Sequence, residues 1–322
     1  MNTPVPNISS VVPSTRQRMV ELIDRLAPSE GQTQSALDGV RLMRSNRPHT
    51  KSPGLYEPCI GVLVQGCKRI HLGDQIYTWD AQHYLVLSVP MPFTAETEAS
   101  EAEPLLGISL RIDPVQVAEL ALALALDERE RRVEALPKAM TSTPLDARLS
   151  DAILRLLEAL TSPLETKILG PSILREIYLR MLTGEQGPAM RAALTHGGHF
   201  GKIAKALRRI HAEYHGDLDV ETLARDAGMS VPVFHTQFKT VTTTSPIQYV
   251  KSTRLHHARM LMVREGVTAA SASARVGYES PSQFSREFKR MFGRSPADEA
   301  QQMKHLLAVM PAPSLSLGDS TA

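Results

Sequence analysis

The sequence predicts an α+β chain. A β-rich unit with attached helices comes first, followed by an all-α domain of two helix-turn-helix units joined by a long helix. Three observations carry this reading. Short apolar runs separated by turn residues fill 55–112, helical periodicity takes over after Asp113, and beyond Gly201 the chain repeats itself at a spacing of 50 residues.

At 322 residues the chain has room for about two domains, each with its own core. Residues 1–50 are polar, with one amphipathic helical stretch near Thr15–Leu26. Gly61-Val-Leu-Val-Gln65 then reads as a strand, and Lys68–Leu72 and Gln75–Trp79 flank Gly73-Asp74 as a hairpin with a tight turn. Tyr84–Val89, ended by Pro90 and Pro92, and Leu105–Arg111 add further strands. Asp113-Pro114 supplies a cap and a first-turn proline for a helix over Val115–Leu126. Apolar periodicity returns at Leu145–Leu160 and Ile173–Leu182, so 113–182 is expected to be helical. The glycine-rich stretch 183–200 reads as a linker, 201–307 as the repeat domain, and 308–322 as a disordered Pro/Ser-rich tail.

In the repeat, Ser230, Phe234, Phe238, Lys239, Ser245 and Pro246 fall on Ser280, Phe284, Phe288, Lys289, Ser295 and Pro296. Self-similarity at a fixed period signals two copies of one supersecondary unit. In the first, Asp219 caps Val220–Ala227, Gly228-Met229 turns, and Ser230 caps Val231–Thr240. In the second, Thr268 caps Ala269–Val276, Gly277-Tyr278 turns, and Ser280 caps Pro281–Met291. Ser280 with Gln283, and Ser245 with Gln248, fit capping boxes. Each Phe pair at i, i+4 anchors one helix face in a core. Pro246–Val263 joins the copies, with Lys251, Arg254 and Arg259 expected on its outer face.

Charge divides along the same line. Residues 201–310 hold 16 Lys+Arg against 10 Asp+Glu, a balance of +6, while the remainder has 20 against 24, a balance of −4. A basic module with capped short helices suits a polyanion such as double-stranded DNA, where a helix enters the major groove. Arg286 is the first choice for a base contact, because its fork can grip guanine. Ser282, Gln283 and Ser285 stand beside it, with Val233, His235 and Thr236 in the first unit. Lys239, Lys289, Arg290 and Arg254 are placed as phosphate contacts. A helical bundle that binds protein rather than DNA is the competing reading of the same repeat.

The run Gly277-Tyr-Glu-Ser-Pro-Ser-Gln-Phe-Ser-Arg-Glu-Phe-Lys-Arg-Met-Phe-Gly-Arg-Ser-Pro296 resembles the signature of the AraC/XylS family of transcriptional regulators. Gly228-Met-Ser, Phe234-His235 and Phe238-Lys239 are similar to the family's first unit, and Arg254-Leu255 with Ala258 to its linker helix. Val64-Gln-Gly-Cys-Lys-Arg-Ile70, with Asp80-Ala81 and Val89-Pro90, resembles the effector-binding domain of one AraC subgroup, a cupin-like β barrel. The resemblance implies an N-terminal effector-binding and dimerisation domain over 1–190. It also implies a cytoplasmic, nucleoid-associated activator whose partners are promoter DNA, RNA polymerase and a small-molecule effector, with a homodimer through Asp146–Leu182 open. Thr236 departs from the family, which often carries a basic residue there, so the first unit is expected to read sequence weakly or differently. The small residues of Ala269–Val276 are expected to pack loosely.

In the β-rich unit Cys59, Cys67, Tyr77, Trp79 and Tyr84 are the effector-pocket candidates, Cys59 and Cys67 also as a sensor of reactive species, with core packing as the alternative for each. Two cysteines give no disulfide framework. A metal-dependent cupin enzyme fused to a DNA-binding module is the rival functional class. It needs clustered ligands, and His49, His71 and His83 are scattered. No metal, no cofactor and no catalytic residue is expected, and no apolar run is long enough to cross a bilayer. The N-terminus lacks the basic and apolar segments of a secretory signal.

Overall fold

A computed structural model describes residues 14–72, 75–125, 138–194 and 198–301. The described residues begin with α1 (Thr15–Leu26), whose first turn is capped by Ser14. Nine strands follow: β1 (Gly31–Gln34), β2 (Val40–Ser45), β3 (His49–Tyr56), β4 (Cys59–Gln65), β5 (Cys67–Leu72), β6 (Gln75–Asp80), β7 (His83–Leu87), β8 (Met91–Glu98) and β9 (Leu105–Arg111). After α2 (Pro114–Ala125) a tenth strand, β10 (Met140–Pro144), returns to pair with β7. The strands form a six-stranded sheet, β1-β2-β9-β4-β7-β10, and a four-stranded sheet, β3-β8-β5-β6.

Alternation along the strands explains the layering. On β4 and β7, Ile60, Val62, Tyr84 and Val86 point to one face, where they meet Met19 and Ile23 of α1 and the helices α3 (Ala147–Ala159) and α5 (Gly170–Thr183). Leu63, Leu85 and Leu87 point to the other face and pack with Ile70, Trp79 and Phe93 of the smaller sheet. Two sheets thus enclose one core, and helices cover the back of the larger one. Gly61 is needed there, because a Cβ would lie 2.4 Å from the Trp79 ring.

The β-rich unit is therefore wider than 55–112. Residues 31–56 contribute β1 to β3, and β10 falls inside the stretch expected to be helical. The hairpin of β5 and β6 pairs Leu72 with Gln75, while its turn at Gly73-Asp74 lies outside the described residues. Between α3 and α5 stands the short α4 (Pro163–Ile168). Most of the expected linker is helical: α6 (Gly187–Leu194) and the start of α7 (Gly198–Glu213) fall within 183–200. The expected tail, 308–322, lies outside the described residues.

The repeat folds as α8 (Val220–Asp226), α9 (Val231–Thr242), α10 (Pro246–Arg264), α11 (Ala269–Arg275) and α12 (Pro281–Phe292). Asp219 accepts from Thr222 N at 2.6 Å and Thr268 from Ser271 N at 3.2 Å, so both first helices start on side-chain caps. Ser280 likewise accepts from Gln283 N. Ser230 and Ser245 make no such bond, and proline at the first turn supplies the start signal instead. The Gln283 side chain turns to Glu287 at 3.2 Å rather than back to its cap, so the predicted box is half formed.

Candidate nucleic-acid interface

Each copy is held by its Phe pair, and all four rings are fully buried. This fixes what the second helix of each unit turns outward. Along α9, Val231, Pro232, Val233, His235, Thr236, Lys239 and Thr240 are exposed. At the matching positions of α12 stand Pro281, Ser282, Gln283, Ser285, Arg286, Lys289 and Arg290, also exposed. The base-contact candidates of both units, and the cations Lys239, Lys289 and Arg290, thus lie on the faces opposite the cores. The Arg286 guanidinium makes no hydrogen bond or ion pair among the described residues.

Arg254 is a correction. Its guanidinium donates to the carbonyls of Tyr214 at 2.7 Å, Gly216 at 2.7 Å and Gly277 at 2.9 Å. A cation engaged by three backbone acceptors braces the α7–α8 loop against the second turn and has little left for a phosphate. Gly277 fits beside it only because it lacks a side chain: its φ is +79°, and a Cβ would lie 2.4 Å from the His215 carbonyl. The rest of the supposed outer face of α10 is also engaged. Lys251 donates to Glu287 at 2.7 Å, and Arg259 pairs with the buried Glu299 at 2.6 Å while donating to the Pro53 carbonyl.

Glu287 joins the second reader to the connecting helix. Burial pulls its carboxyl upward, but hydrogen bonds from Lys251, Tyr278 and Gln283 outweigh this and hold it below the usual range. On α11, Ala272 and Ser273 are fully buried, whereas Ala270 and Ala274 are exposed, so only part of the small-residue run expected to loosen this helix faces the interior of the unit.

The effector-pocket candidates do not converge. Tyr84 points into the core beneath the helices, whereas Trp79 is buried between the sheets and Cys59 and Tyr77 pack against that second cluster. Burial pushes the Cys59 thiol up to about 11 and raises the Cys67 thiol as well, which is unfavourable for a reactive thiolate.

A different cavity does form, between the smaller sheet and the repeat domain. It measures about 450 Å³, within the range of small-molecule sites. Lys51, His71 and Phe93 line it from the β side, and Lys251, Leu255, His256, Glu287, Arg290 and Met291 from α10 and α12. His256 is almost wholly buried, its Nε2 has no hydrogen-bond partner, and burial holds it neutral with a pKa of about 3. The cleft escaped sequence reasoning because its walls come from segments some 200 residues apart, with no local pattern.

Comparison with known proteins follows the same division. Residues 36–189 match the AraC-type transcriptional regulator N-terminus family, and residues 223–302 match a helix-turn-helix domain family. The chain is 34% identical over 101 residues to the HTH-type transcriptional regulator AlkR of Acinetobacter baylyi, covering 31% of this chain and 33% of AlkR. It is 26% identical over 168 residues to the virulence regulon transcriptional activator VirF of Yersinia enterocolitica, covering 52% of this chain and 61% of VirF. The match thus spans between a third and three fifths of these relatives' length. In fold, the chain is similar to unsaturated fatty acid bound ToxT from Vibrio cholerae, with a TM-score of 0.53 and 13% identity over 89% of this chain and all of that one.

Proposed function

We propose that this chain, which belongs to the AraC family of transcriptional regulators, binds promoter DNA through α9 and α12 and responds to an amphipathic carboxylate. The single observation that carries the DNA reading is the exposed polar face of α12. Arg286, Gln283, Lys289 and Arg290 stand on one capped helix fixed from behind by Phe284 and Phe288. Such a helix offers donors to base edges and cations to phosphates. The relatives' names favour activation, VirF being an activator, and recruitment of RNA polymerase in the cytoplasm is the route we assign.

The cleft between the smaller sheet and α10 and α12 is our effector site. Lys51 offers a cation to a carboxylate beside Lys251, which is shared with Glu287, and Phe93, Leu255 and Met291 offer apolar walls to a chain. The fatty acid bound to ToxT supports this ligand class. Because one wall is the second reader itself, a ligand that prefers one arrangement of the walls shifts DNA affinity. A second copy is placed on the helices over 146–182, where Leu164, Ile168, Leu169 and Leu179 are exposed. Sedimentation at micromolar concentration checks that placement.

The test is duplex selection from a random pool at low salt, followed by footprinting of the selected fragment with and without oleate. Protection that changes with oleate in the wild type but not in Lys51→Ala/Lys251→Ala is expected. Failure to bind any duplex at low salt, where phosphate contacts are strongest, sinks the regulator reading. Binding that ignores oleate sinks the ligand class alone.

A further inference from the structure

The two readers expose the same positions but different chemistry, and the first is the less explained. Where α12 presents Gln283, Arg286 and Arg290, α9 presents Val233, Thr236 and Thr240. The Thr236 hydroxyl donates to the Pro232 carbonyl at 3.1 Å, and that of Thr240 to the Thr236 carbonyl at 2.9 Å. Both hydroxyl protons are thereby committed to the helix, which leaves the threonines without a donor for a base. Val231 and Val233 remain 38% and 42% exposed on a helix whose opposite face is fully buried. Helical spacing puts Val233, Thr236 and Thr240 along one stripe of this exposed face, and Val231, His235 and Lys239 along the other.

A major groove presents one apolar group, the C5 methyl of thymine, and aliphatic side chains are its natural contacts. Resting on the DNA reading above, we infer that the first unit reads thymine methyl groups through Val233 and Thr236, while the second reads hydrogen-bonding edges. The site would then have two unlike halves: an A·T-dependent half under α9 and a half under α12 in which guanine is the favoured partner of Arg286. Thr236, the position where the family often carries a base, becomes a specificity determinant rather than a lost contact.

The experiment uses the full chain and a duplex selected from a random pool, with deoxyuridine replacing thymine in successive half-turn blocks. Uracil pairs as thymine does and lacks only the methyl. Affinity is expected to fall about fourfold for each methyl contacted, the scale of one buried carbon group. The loss should be confined to one half of the site and absent in Val233→Ala/Thr236→Ala, whose exposed substitutions should leave the melting midpoint near that of the wild type. Uracil blocks that change nothing overturn the inference, as does an equal loss in the double variant. A chain that binds no duplex fails earlier, on the regulator reading itself.

Discussion

In the first helix-turn-helix unit, Phe234 and Phe238 belong to the same apolar cluster as Met91 and Phe93 of the β domain. In the second, Phe284 and Phe288 belong to a separate cluster with Leu255, Ala258 and Met262 of α10 and Ala272 of α11. Tyr249 strengthens the first attachment. Its hydroxyl donates to the Pro90 carbonyl at 2.5 Å and accepts from His211 Nε2 at 2.8 Å. One reader is thus packed into the domain proposed to sense the ligand, whereas the other is tied to it through α10 and the walls of the cleft. The two units have helices of matching length, and their surroundings have made them unequal parts. The unit whose outward helix carries Gln283, Arg286, Lys289 and Arg290 is the one with the smaller core.

The largest test of this contrast is Phe238→Ala against Phe288→Ala, each expected to cost about 3–5 kcal/mol as a buried ring is lost. In thermal unfolding Phe238→Ala should lower the transition of the whole chain. Phe288→Ala should instead open 269–292 ahead of the rest, read as early amide exchange there. A single shared transition for both variants would break the comparison. Arg254→Ala should cost about 3 kcal/mol, since three carbonyls lose a charged donor. The slope of DNA affinity against salt should stay unchanged, whereas a lost phosphate contact would flatten it by about one.

Arg286→Ala should weaken specific binding by about 1–3 kcal/mol and relax preference at one base pair. Its counterpart Thr236→Ala should change total affinity much less, as gel-shift titrations of both variants on one duplex would show. Acid tests the connecting helix. Burial lowers His256 to about 3 and His257 to about 4, so between those values and 6.5 the unfolded chain binds protons that the folded one does not. Stability is then full above pH 6.5 and lost as pH falls, by up to about 1.4 kcal/mol per unit for each histidine. Urea midpoints from pH 7 to 5 should follow this, and His256→Phe should make the slope shallower. The smallest effect is at Thr243, which holds a left-handed φ of 61° where the second unit has Gly293. Thr243→Gly should stabilise the first unit by about 0.5–1 kcal/mol in the same urea titrations.

The repeat was legible because its information is local. Caps, first-turn prolines and Phe spacing define each helix within a few residues, and the outward faces follow once Phe234, Phe238, Phe284 and Phe288 are inward. Strands β1 to β3 were missed for the opposite reason. Residues 49–56 include Pro53 and Gly54, and their place in a sheet depends on β8, some forty residues away. Arg254 looked like a surface cation because a helix pattern cannot show the three carbonyls that meet it. Tyr84 and Trp79 looked like neighbours in one pocket because the strand pattern alone does not say which face each cluster occupies.

The shared cluster under α9 also bears on how the molecule can be taken apart. Phe200, Ile203, Leu207 and Ile210 of α7 lie in it together with Met91 and Phe93. A truncated chain starting near Gly201 would keep every side chain proposed to face DNA yet bare an oily seam that the β domain normally covers. Such a fragment should be sticky and self-associating, and a negative result from it would say more about its wetted surface than about its taste in DNA.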